Sequence, residues 1–138
     1  MLDITTVDHI ALPVSDLDRA RAFYTDVMGL RVVREMYNPT PPTTPHIDLE
    51  AGQVHLSVFL ALDPGEDTPR KNLSKVSQFP HVAFQVKDAA GALDRLKASG
   101  YPFDGPIPRS SGRAEVYLWD PDGNQLEFTM PWPATATS

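Results

Sequence analysis

His9-Ile10-Ala11-Leu12-Pro13-Val14-Ser15-Asp16 falls, when the chain is slid by 72 positions, on His81-Val82-Ala83-Phe84-Gln85-Val86-Lys87-Asp88. His, Ala, Val and Asp recur identically, and the apolar positions between them match in type. The same shift of 72 places Gln53-Val54-His55-Leu56-Ser57-Val58 on Gln125-Leu126-Glu127-Phe128-Thr129-Met130. Between these stretches Gly29 meets Gly100 at a shift of 71, so the first half carries one extra residue in its helix. Self-similarity at a fixed spacing marks repeated supersecondary units, and this chain reads as two copies of one.

Each copy reads as a strand, a helix and three strands. Residues 7–14 alternate apolar and small or polar side chains, as a half-buried strand does. Asp16 is placed to cap a helix over about 17–28. Leu17, Ala20, Phe23, Tyr24 and Val27 fall on its inner face, and Gly29 ends it. Strands follow at 30–37, 46–50 and 53–61. In the second half a strand at 80–86 precedes a helix at 89–99 with Ala89, Leu93 and Leu96 inward, ended by Gly100. Strands at 101–107, 113–119 and 124–130 follow, and Asp120-Pro121-Asp122-Gly123 makes the turn between the last two. The fold class is therefore α+β: two tandem βαβββ modules in a curved mixed sheet around a central site, with the helices outside. We read one domain over 1–138, with module one at about 5–61, a polar linker at 62–79, module two at 80–130 and a tail at 131–138. The Pro-rich stretch 38–45 reads as a connector, since proline there bars both helix and central strand.

Composition narrows the function classes. A formal charge of -6 and a pI near 5.0 argue against nucleic acid and anionic membranes, which need clustered Lys and Arg. Cysteine is absent, so any metal must be held by His, carboxylate or amide oxygen. No apolar run approaches the roughly 20 residues of a membrane span. The N-terminal Met1-Leu2-Asp3-Ile4-Thr5-Thr6 lacks a basic stretch followed by an apolar one. A cytoplasmic location is the expectation.

Strand parity then singles out four residues. Side chains alternate across a strand. Ile10, Leu12 and Val14 oppose His9, and Val54, Leu56 and Val58 oppose His55. Val82, Phe84 and Val86 oppose His81, and Leu126, Phe128 and Met130 oppose Glu127. Each strand has one apolar face for a helix and one small or polar face bearing a metal-competent side chain. In each half the two such residues lie 46 apart. A lone strand histidine is commonly a hydrogen-bonded structural residue. Here three of the four histidines occupy repeat-related positions, with Glu127 at the fourth. His46 breaks the pattern and reads as a loop or pocket residue; Asp120 and Asp122 read as turn formers. Three imidazoles and a carboxylate suit Fe, Zn, Ni, Co or Mn, and four protein ligands on an octahedral ion leave about two positions for substrate oxygens or water.

Val7-Asp8-His9-Ile10-Ala11-Leu12, Ala22-Phe23-Tyr24 running to Gly29-Leu30, Pro80-His81-Val82-Ala83-Phe84 and Asp120-Pro121-Asp122-Gly123-Asn124-Gln125-Leu126-Glu127 together resemble the vicinal oxygen chelate superfamily. That group includes glyoxalase I, fosfomycin-resistance enzymes, methylmalonyl-CoA epimerase, extradiol dioxygenases and bleomycin-resistance proteins. The resemblance implies metal ligands on the first and fourth strand of each module, where His9, His55, His81 and Glu127 stand. One position departs: glyoxalase I enzymes usually carry Glu and the epimerase Gln where this chain has His55.

The resemblance implies a metal-dependent lyase, isomerase or dioxygenase for a small substrate that chelates the ion through neighbouring oxygens. Glu127 would be ligand and base, and Tyr117 with Arg113 would line the pocket. A homodimer is expected, with no nucleic-acid or membrane partner. The alternatives are a drug-sequestering protein of the bleomycin-resistance type, a thiol transferase of the fosfomycin-resistance type, and a domain keeping its ligands as a relic.

Overall fold

The computed structural model describes residues 2–61, 80–109 and 112–134. The expected linker at 62–79 and the end of the tail, 135–138, lie outside the described residues. The chain divides into two compact units, Met1–Glu66 and Asp67–Ser138.

The first unit runs β1 (His9–Val14), α1 (Leu17–Ala22), a π-helical turn (Phe23–Val27), β2 (Arg31–Met36), β3 (His46–Ala51) and β4 (Val54–Leu60). Its sheet order is β1-β4-β3-β2, with β1 parallel to β4 and the other pairs antiparallel. A parallel pair needs a crossover, and the intervening helix supplies part of it. The Asp16 carboxylate accepts from the Arg19 amide at 3.0 Å, capping α1 as expected. The helix packs on β3 and β4. Leu17 and Ala20 are buried, as are Ile47, Leu49, Leu56 and Val58 on those strands. Each large aliphatic side chain so buried contributes about 1.5–3 kcal/mol.

The helix end corrects one expectation. The Met28 amide donates to the Phe23 carbonyl, five residues back, so the backbone absorbs one extra residue. Met28 is buried and Val27 only partly, whereas a regular helix would have turned Val27 inward. This turn sits in the segment where the repeat spacing falls from 72 to 71.

The second unit runs β5 (Val82–Gln85), α2 (Ala89–Ser99), β6 (Asp104–Arg109), β7 (Arg113–Trp119) and β8 (Gln125–Pro131). Its order, β5-β8-β7-β6, repeats that of the first. Asp88 caps α2, and Gly100 closes it at φ 68, a left-handed conformation that glycine adopts without steric cost. Ala89, Leu93 and Leu96 are buried as expected. The second strand of this module, β6, begins later than the 101–107 reading. Tyr101 instead donates its hydroxyl to the Trp119 carbonyl at 2.6 Å, and the strand starts at Asp104. Pro106 and Pro108 are tolerated because β6 is an edge strand.

Both modules carry a bulge at the same place. The register shifts between Val32 and Arg34 in β2, and between Asp104 and Ile107 in β6. The bulges correspond: Arg34 and Ile107, the first paired residues after each, stand opposite Asp48 and Glu115, whose own partners Ser57 and Thr129 differ by the shift of 72.

Candidate functional site

In the first unit His9 and His55 are direct register partners on β1 and β4. Both lie on the face away from the buried Leu56 and Val58, as parity requires. The His9 Nδ1 bonds to the Asp8 carboxylate at 2.7 Å. A carboxylate only accepts, so Nδ1 carries the proton and Nε2 keeps its lone pair for a metal. The bond donated by His9 is the main cause that holds the Asp8 carboxyl below its ordinary range.

Across the same face, β3 presents Glu50 opposite His55, Asp48 opposite Ser57 and His46 opposite Phe59. A cavity of about 580 Å³ lies over it, lined by Asp8, His9, His55, His46, Asp48 and Arg34 among others. Thr43 and Thr44 of the Pro-rich connector form part of its wall. His46 is thus a pocket residue: its Nδ1 donates to the Thr44 carbonyl at 2.7 Å, and its Nε2 lies 3.6 Å from the Asp48 carboxylate.

In the second unit His81 Nε2 lies 3.7 Å from Glu127 Oε2. That gap is too long for a hydrogen bond. It lies within the spacing of about 3.0–4.2 Å expected of two donors sharing one ion through bonds near 2.1 Å. Glu127 is only 7% exposed, so its carboxylate is held in place on β8 rather than trailing in solvent. The turn before it explains why β8 begins where it does. Asp120 Oδ1 accepts from the Asp122 and Asn124 amides at 3.0 and 2.8 Å, and Asp120 Oδ2 accepts from the Asn124 side chain at 2.8 Å. Asp120 and Asp122 are turn residues here.

Strand β7 lines the same face. Tyr117 pairs with Glu127, and Glu115 with Thr129. Tyr117 donates to Glu115 at 2.7 Å, and Arg109 binds that carboxylate at 2.7 and 2.8 Å. Burial first, then its bonds to the Glu115 and Glu127 carboxylates, push the Tyr117 phenol well above its ordinary value. Tyr117 is therefore a fixed neutral donor at neutral pH. Arg113 reaches Thr129 at 2.8 Å on the same side. Tyr117 and Arg113 accordingly share the Glu127 face. Glu115 and Arg109 were missed, although Glu115 has the strand parity of both.

Glu115 carries a pH prediction. Burial opposes its ionisation, but the bonds from Arg109 and Tyr117 and the Arg109 charge outweigh this and hold it below the ordinary carboxyl value of 4.5. A depressed folded-state value adds stability that is present above the unfolded value and lost as pH falls through the folded one. Glu115→Gln should cost about 1–2 kcal/mol at pH 7. Urea unfolding of both proteins should show the difference shrinking below about pH 4; a difference independent of pH would contradict the assignment.

The structure therefore brings together His9 with His55, and His81 with Glu127. Among the described residues no three His, Asp or Glu side chains gather as one cluster able to hold a metal. Among them, too, no helix is long and apolar enough to cross a membrane.

Comparison with known proteins places these features. Residues 6–128 match the family model described as Glyoxalase/Bleomycin resistance protein/Dioxygenase superfamily. The chain is 30% identical over 127 residues to a lactoylglutathione lyase of Haemophilus influenzae, covering 87% of this chain and 88% of that protein. Its fold is similar to that of a mutant of the fosfomycin resistance protein FosX from Listeria monocytogenes, solved with Mn(II) and 1S,2S-dihydroxypropylphosphonic acid. That match has a TM-score of 0.71 at 20% identity, over 94% of this chain and 95% of the other. It is also similar to TnmS3, an antibiotic binding protein from Streptomyces sp. CB03234, with a TM-score of 0.72 at 20% identity, over 95% and 99% of the two chains.

Proposed function

The chain belongs to the Glyoxalase/Bleomycin resistance protein/Dioxygenase superfamily, and from that membership we propose that it is a metal-dependent enzyme acting on a small substrate with two neighbouring oxygens. The proposed ligand set is His9, His55, His81 and Glu127, two residues from each unit. The observation that supports the reading is the His81–Glu127 pair, 3.7 Å apart, with its carboxylate nearly buried. The donor chemistry fits a divalent ion of the Fe, Zn, Ni, Co or Mn group. When bound, the ion would polarise two adjacent substrate oxygens as a Lewis acid.

The chain's own residues divide the remaining work. Asp8 orients His9 through Nδ1. The Glu127 carboxylate is the group that takes and returns a proton, being the one carboxylate in the set. Tyr117 keeps its proton and donates a hydrogen bond to Glu115, which with Arg109 fixes the ring beside Glu127. With His55 in place of a second carboxylate, proton transfer falls to Glu127 alone; the 30% identity to a lactoylglutathione lyase supports lyase or isomerase chemistry as the first reading, with ring-cleaving oxygenation the next. A homodimer in the cytoplasm belongs to the same reading; light scattering that gives the mass of one chain would remove the dimer from it.

The metal-loaded protein is expected to turn over one of three probes: the methylglyoxal–glutathione hemithioacetal, a catechol with O₂, or fosfomycin with a thiol. A His55→Ala, Glu127→Ala double variant should turn over none and lose the metal. Inertness toward all three, joined to tight binding of an aromatic antibiotic by metal-free protein, would replace the enzyme reading with drug sequestration.

A further inference from the structure

We propose that Arg34 is the binding residue for a carboxylate on the substrate, so that this site selects a small acid with its chelating oxygens at one end and a carboxylate at the other. The proposal rests on the metal-dependent reading above for the chelating end, and on the first unit alone for the carboxylate.

Alternation would put Arg34 on the same side of β2 as Val32, which pairs with the fully buried Leu49. A guanidinium does not belong on that side. The bulge at Val33 resolves the conflict: Arg34 pairs instead with Asp48, whose neighbours across the sheet are Ser57 and then Ala11. Bulges next to functional sites re-aim side chains in this way. The equivalent bulge in the second module carries Ile107, opposite Glu115, where the first has Arg34 opposite Asp48, so the bulge belongs to both modules and the cation to one.

Charge in the cavity leaves Arg34 available. Asp8 is bonded to His9, and the Asp48 carboxylate leans toward His46 at 3.6 Å. Arg21, Arg31 and Arg109 each hold a glutamate, and Arg113 holds Thr129. Among the described residues Arg34 has no such partner, and it is exposed at the rim of the cavity beside Thr43 and Thr44. One guanidinium matches one carboxylate, in fork geometry; a doubly charged phosphonate would call for more than one cation.

The spacing sets the substrate's length. Arg34 and His55 lie two strands apart, about 10 Å between backbones at roughly 4.8 Å per strand. Side chains close part of that span, leaving room for two or three carbons between the chelating oxygens and the carboxylate.

A matched pair of ligands tests this by titration calorimetry on the Mn(II)-loaded full chain. Acetohydroxamate supplies two neighbouring oxygens only; succinohydroxamate adds a carboxylate two carbons away. The parent protein should bind succinohydroxamate about 10- to 100-fold more tightly, the range for a charge-assisted bond. Arg34→Gln should bring the ratio to about 1, and Arg34→Lys should leave it intermediate. Equal affinities in the parent, or an unchanged ratio in Arg34→Gln, would overturn the proposal. If Mn(II) itself fails to bind, the metal reading fails separately. The carboxylate assignment then stands or falls on metal-free protein, where succinate should shift the His46 ring resonances of the parent but not of Arg34→Gln. No shift in the parent would overturn it.

Discussion

Glu127→Ala is expected to lower divalent metal affinity at least about 100-fold and to abolish turnover, while the protein stays folded. Removing a mere outer partner of a ligand costs about 10- to 100-fold, and Glu127 is proposed as a ligand itself and the single anionic one. The fold should tolerate the change. A buried carboxylate costs desolvation that its partners only partly offset, and Tyr117 keeps Glu115 as its acceptor at 2.7 Å. Circular dichroism should show a metal-free variant melting within a few degrees of the metal-free parent. Glu127→Gln, which keeps an oxygen donor but loses the charge and the base, should retain part of the affinity and none of the proton transfer. Metal retained at parental affinity by Glu127→Ala would remove Glu127 from the ligand set.

Asp120→Ala should produce the largest loss of stability among these variants, about 3 kcal/mol. Asp120 is 2% exposed, and its carboxylate accepts from two backbone amides and one side-chain amide. Alanine would leave buried donors without an acceptor, and each such group costs about 1–3 kcal/mol. For a domain of this size the melting temperature should fall by roughly 10 °C. Asp120→Asn keeps one acceptor oxygen for the backbone amides and should lose about half as much. Thermal unfolding of both variants checks the order; an Asp120→Ala protein as stable as the parent would show that the turn does not depend on this carboxylate. The consequence for function is positional, since this turn sets the first residue of β8 and hence which face Glu127 occupies.

The elements most legible in the sequence were those whose local chemistry and tertiary demand agree. Helix α2 begins and ends where Asp88 and Gly100 predict, and β7 occupies 113–119 as read. The spacing of 46 gives the register of His9 with His55, whereas on β5 and β8 the offset is 44: Ala83 stands opposite Glu127, and His81 approaches Glu127 from just before β5. What escaped were departures from ideal periodicity. The π turn changed Val27 for Met28, because spacing shows that a residue has been added but not where the backbone absorbs it. The bulge at Val33 turned Arg34 from the packed side to the cavity side, and parity without a bulge gives the opposite answer. The late start of β6 depends on a long-range bond from Tyr101 to the Trp119 carbonyl, which no local pattern contains. Glu115 was legible in principle, since it alternates with Tyr117 and Arg113. Its role shows only once Arg109 is seen to converge on it.

The proposed centre is one ion held by three imidazoles and one carboxylate. X-ray absorption at the metal edge of protein loaded with one equivalent of Mn(II) or Zn(II) tests it directly, because imidazole rings scatter through their outer carbons and can be counted. The prediction is one ion per chain with a first shell of nitrogen and oxygen at about 2.0–2.2 Å and three imidazoles. A loaded protein with fewer than three imidazoles at the ion, or a chain that retains no ion at all, would contradict it.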